Sequence, residues 1–244
     1  MPSFVWFRDP AEAHANPYEH PAQAQFAREA KVVLDKLADL LNRYTMRFHR
    51  DDKSSEKAIW FLQTDAVDAL RDALDMIGAK KHRISGRLFR DVLETLNLAA
   101  YFHSDSDDAR ADLRRWYEDD VIPHKRYREF IANTVGPAAK EESVRMHRNF
   151  SKFTHRTYRA LSQSYSLGGG DLLVYEGFTK TDLLVLPSTI AEHYAGLASF
   201  IWLALEELPR RGLVSEEEVK EALASTFEAE VVPRRFVRHC PLPE

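Results

Sequence analysis

A single cysteine, Cys240, excludes an internal disulfide and a thiolate metal cluster. No apolar run approaches the roughly 18 residues that a membrane-spanning helix needs. The longest apolar stretch, 198–205, is interrupted at Ser199. The opening MPSFVWFRDP lacks a basic segment followed by an apolar one, so no secretory signal is expected. Several motifs are also missing: a Walker A loop, a GxGxxG turn after a strand, an HExxH pair and the ExxH pairs of a di-iron bundle. Gly168–Gly170 is not followed by a helix carrying a Lys-Ser/Thr pair, which favours a hinge or lid over a phosphate loop. These absences lead to an expectation of no cofactor, no metal, no membrane partner and a reducing, cytoplasmic setting.

The 244 residues are 44% hydrophobic and 30% charged, enough apolar material for one large core. Periodicity near 3.6 recurs along most of the chain. It predicts helices over 22–50, 54–78, 84–103, 106–118, 124–134, 138–165, 188–208 and 215–231. The expected fold is therefore all-α, a bundle of six to eight helices in one domain spanning 21–244. Residues 1–20, rich in Pro, His and Ala, read as an extended arm. The segment 166–187 reads as an irregular Gly-rich insertion with a short hairpin, and the tail after 231 as loosely held.

Net charge is −4, yet it is unevenly spread. Residues 140–159 carry six Lys/Arg and two His against Glu141 and Glu142. At about 100° per residue, Arg148, Lys152, His155 and Arg159 fall in one stripe, with Arg145 and Arg156 at its margin. Met146, Phe150, Phe153 and Leu161 fall opposite, as a core-facing side. A concentrated cationic stripe on an acidic protein suits a phosphate backbone or an acidic helix. A histidine titrating near neutrality can act as general base or acid, and an arginine can clamp a phosphate. Arg148 and His155 are seven residues apart, about 10 Å along a helix, and no metal is required for this chemistry.

A second polar feature lies on the helix 84–103, which is apolar almost all round. Arg90, Glu94, Asn97 and Tyr101 form a seam there, and a buried charge needs partners. The basic stripe of the later helix is the expected source, enclosing a polar pocket inside the bundle.

The run Arg148-Asn149-x5-His155 resembles the R-x4–6-H signature of the HEPN superfamily. Those are all-helical proteins that include ribonucleases of toxin–antitoxin and phage-defence systems. The resemblance implies RNA cleavage by a homodimer, with His155 as acid/base, Arg148 as phosphate clamp and Asn149 as an orienting group. Arg145, Lys152, Arg156 and Arg159 would then guide the RNA. Across 60–190 the chain also resembles uncharacterised bacterial helical proteins that pair an R-x3-E helix (Arg90, Glu94) with a Ser-x3-His helix (Ser151, His155). Under that resemblance these groups are polar members of one core. The alternative function is a non-catalytic interaction module, docking an acidic partner or a second copy through the basic helix.

Overall fold

A computed structural model describes residues 20–162, 165–167, 173–175, 187–211 and 213–224. The expected arm (to residue 19), Gly168–Gly170 and the tail after 224 lie outside these residues, as do the side chains of 20–26 and Arg159. The described residues are all-α in architecture. Eight helices are nine residues or longer: α1 His20–Asn42, α2 Ser55–Gly78, α3 His82–His103, α4 Asp107–Trp116, α5 His124–Thr134, α6 Pro137–Thr154, α8 Pro187–Arg210 and α9 Glu216–Ala224. Between α6 and α8 come a single short turn, α7 Tyr158–Ser162, and a two-stranded antiparallel ribbon. In the ribbon, β1 Tyr165–Leu167 pairs with β2 Leu173–Tyr175 in the register Tyr165 opposite Tyr175. This is the short hairpin expected in the Gly-rich insertion.

Local chemistry explains most helix ends. The Ser54 hydroxyl accepts from the Lys57 amide at 3.2 Å and caps α2. Ser106 caps α4 in the same way through Ala109. Gly136, at φ 112°, turns the chain so that Pro137 can open α6. Ser215 and Glu218 form the anticipated capping box, each accepting the other's backbone amide, at 3.1 and 2.8 Å.

Two helix ends differ from expectation. The first helix stops at Asn42 rather than near residue 50, and a chain of turns leads to α2. There Lys57, a residue only 6% exposed, donates through its ammonium to the carbonyls of His49, Arg50 and Asp52 at 2.7, 2.7 and 2.9 Å. Those carbonyls are satisfied by one side chain instead of by helix continuation. The basic helix likewise ends at Thr154 instead of continuing to 165. Arg156 adopts φ 52°, a left-handed conformation that no α-helix continues through. Pro209, by contrast, does not end α8, which runs on to Arg210.

Helix α3 occupies the centre, as its apolar circumference predicts. Phe89 is buried and stacks on Phe200 of α8 at 5.5 Å between ring centres, with Phe150 of α6 against both. Gly86 is a point of close approach. A β-carbon there would lie 2.6 Å from Cδ1 of Phe153, so glycine is what lets α6 seat its aromatic edge on α3.

Candidate functional site: a polar seam between three helices

The seam on α3 forms as expected, and each member finds a partner. Arg90 Nε donates to Oε1 of Glu94 at 2.7 Å, with both side chains about one-fifth exposed. Asn97 donates to the Ser143 hydroxyl of α6 at 3.5 Å. The Tyr101 hydroxyl donates to Oδ2 of Asp112 on α4 at 2.9 Å. Asp112 is itself 2% exposed and also meets Arg115 at 3.2 Å and Arg126 at 3.5 Å. Burial and this carboxylate hold the Tyr101 phenol protonated well above its ordinary range.

The partners on α6 are not those expected. The cationic stripe points away, and the residues turned toward α3 are Ser143, Met146, His147, Phe150 and Phe153. Nε2 of His147 donates to Oε1 of Glu94 at 2.6 Å, the oxygen that Arg90 also engages. The Ser151 hydroxyl donates to the His147 carbonyl at 2.7 Å and lies 3.4 Å from the ring's Nδ1. The Glu94 carboxylate of the R-x3-E helix is thus met by His147, with Ser151 bonded to His147 itself, while His155 lies exposed at the end of α6.

A third element completes the cluster. Pro123 starts α5 and places His124 in its first turn, with Nδ1 3.7 Å from Oε2 of Glu94. The imidazoles of His124 and His147 meet edge to face, 5.2 Å between centres. The buried Tyr127, one turn along α5, makes a short hydrogen bond to Nδ1 of His124. Burial lowers the His124 pKa; Glu94 opposes this and His147 adds to it. Burial, then the Glu94 charge, raises that of Tyr127. One ligand-type atom from each of Glu94, His124 and His147 lies within 4.8 Å of the others. An open cleft of about 450 Å³ is lined by Glu94, His124 and Tyr127 together with Trp116 and residues 119–122.

The two histidines escaped sequence reasoning because the cluster spans 53 residues, from Glu94 to His147, and follows no motif. One signal was present. His147 sits on the side of a basic helix that also carries Ser143, Met146 and Phe150, where a polar ring needs a buried partner.

The residues of the R-N-x5-H run occupy the opposite side of α6. Arg148, Asn149, Lys152 and His155 are exposed, and His155 is the residue that closes the helix. Arg145 is engaged by Glu142 at 2.6 Å, so part of the cationic margin is already neutralised. Among the described residues no ion pair engages Arg148, Lys152 or Arg156. Arg156, past the helix end, no longer shares the stripe, and Arg159 is carried on α7.

Comparisons with protein-family models, with curated proteins and with solved structures find no match to this chain. Among the described residues, no helix is long and apolar enough to cross a membrane.

Proposed function

We propose that the protein is a HEPN-like endoribonuclease that cleaves RNA without a metal, as a homodimer in the cytoplasm, in a toxin or phage-defence setting. The observation that carries this reading is the presentation of Arg148, Lys152 and His155. They stand four and three residues apart on the solvent side of α6, exposed and free of ion pairs among the described residues. The opposite side of the same helix is anchored to α3 through His147, Phe150 and Phe153. The helix and its C-terminal cap thus offer a phosphate clamp and a proton-transfer group to a polyanion. His155 takes the proton of a ribose 2′-hydroxyl or returns one to the leaving oxygen, Arg148 holds the phosphate, and Asn149 orients it. Lys152, exposed beside Arg148 on the same side of α6, guides the strand.

Purified protein incubated with a panel of RNAs in EDTA tests this. Cleavage that His155→Ala abolishes while RNA binding persists, and that Arg148→Ala weakens together with binding, is the expected result. Activity lost on chelation, or retained by His155→Ala, overturns it.

One observation favours the second reading, an interaction module. Tyr158 is 84% exposed and Leu161 44%, just beyond the stripe, so an apolar patch adjoins the cationic one. That pairing suits a protein partner or a second protomer. If no RNA is cut, charge reversal by Lys152→Glu and Arg159→Glu should abolish self-association or docking without unfolding the chain.

A further inference from the structure

The Glu94–His124–His147 cluster brings three metal-ligating side chains together, with one ligand-type atom of each within 4.8 Å of the others. We propose that these residues form a mononuclear binding site for a divalent transition-metal ion of the zinc class, separate from the exposed end of α6. Two imidazoles and one carboxylate are a ligand set that such ions take, with a further position left for water or substrate. Three helices deliver them: Glu94 from α3, His124 from the first turn of α5, and His147 from α6.

The distances fit. Ligand atoms around a tetrahedral zinc, at 2.0–2.2 Å from it, stand about 3.4 Å from one another. Here His147 Nε2 and Glu94 Oε1 are 2.6 Å apart, and His124 Nδ1 and Glu94 Oε2 are 3.7 Å apart. The ion would replace the hydrogen bond between His147 and Glu94 and the one that Tyr127 makes to His124, with side-chain shifts of about an ångström. The cleft beside Glu94 and His124 leaves the remaining position open.

The charges select the class of ion. Arg90 already neutralises Glu94 and orients it as a supporting hydrogen bond does around metal sites. The ligand set therefore offers little net negative charge. Calcium and magnesium, which depend on several oxygens, gain little here, whereas an ion with affinity for imidazole nitrogen gains two good donors.

The full-length chain, stripped with EDTA and desalted, should take up one equivalent of Zn²⁺ by calorimetry, with a Kd of about 1 µM or tighter. Co²⁺ in its place should give the visible absorption of a low-coordinate nitrogen–oxygen site. His124→Ala and His147→Ala should each weaken binding by more than about 100-fold, beyond the 10–100-fold that losing a supporting group brings. Tyr127→Phe, which removes only a competitor for Nδ1, should retain it. The control His49→Ala, at an exposed histidine, should bind as the wild type does. Circular dichroism of each variant shows that the helices persist, and the wild-type titration stands whether or not a variant folds. Binding weaker than about 100 µM in the wild type overturns the proposal, as does affinity unchanged in both histidine variants, which would put the ion elsewhere.

Discussion

Replacing Glu94 with alanine removes the acceptor on which three helices converge. In the metal-free protein Arg90 loses its carboxylate partner, at 2.7 Å, and His147 loses its partner at 2.6 Å. Stripping one member from a buried ion pair costs about 3–5 kcal/mol. The two side chains here retain 21% and 22% exposure, so water softens the penalty and the lower end, roughly 3 kcal/mol, is expected. For a protein of this size that corresponds to a fall in Tm of roughly 6–12 °C. Urea denaturation followed by circular dichroism in EDTA measures it directly, as a lower midpoint at constant slope. A double-mutant cycle with Arg90→Ala isolates the pair and should return a coupling of about 1–3 kcal/mol. A loss under about 1 kcal/mol, the range of solvent-exposed pairs, refutes the reasoning, because the seam would then be open to water.

Gly86→Ala should destabilise by about 1–3 kcal/mol, the range for overpacking, since the new methyl meets the Phe153 ring; Phe153→Leu in the same chain should recover part of the lost unfolding free energy. Lys57→Met should cost about 3 kcal/mol in denaturant titration, because three carbonyls of the α1–α2 connection lose a charged donor together; an effect within about 0.5 kcal/mol, typical of surface sites, would mean that this connection is solvated. Burial, then the Asp52 charge, pushes the Tyr117 phenol, which donates to the Ser54 carbonyl at 2.8 Å, up to about 12 from an ordinary 10.0. A raised folded pKa means that its contribution to stability is complete below pH 10 and is lost as pH climbs toward 12. Thermal melts across that window should show a falling Tm, with a shallower fall in Tyr117→Phe.

Spacing along the chain was enough to identify the elements. Apolar residues three and four apart marked α2, α3 and α8 to within a few residues, because each buries one stripe or its whole circumference, and Pro123 marked the start of α5. Ser54, Gly136-Pro137 and the Ser215–Glu218 pair marked ends, because a cap acts on amides three residues away. The Arg90–Glu94 seam was legible for the same reason: charges on a helix that is otherwise apolar must be paired. The premature ends of α1 and α6 were not legible. Lys57 holds the turns that follow the first by reaching five to eight residues back, and Arg156 stops the second through a backbone angle that side-chain periodicity does not encode.

The tertiary structure decided which groups answer the seam. Along α6 the sequence draws attention to its cations, since charge is conspicuous, and by itself it placed Arg148, Lys152 and His155 on one face. Packing then turned that face to solvent, because Phe150 and Phe153 bury on the other side against Phe89 and Gly86. His147, one residue from the arginine but about 100° around the helix, was carried inward to Glu94, and α5 brought His124 to the same carboxylate. Periodicity fixes a residue's direction from its own helix axis; only the docking of α3, α5 and α6 determines which directions converge.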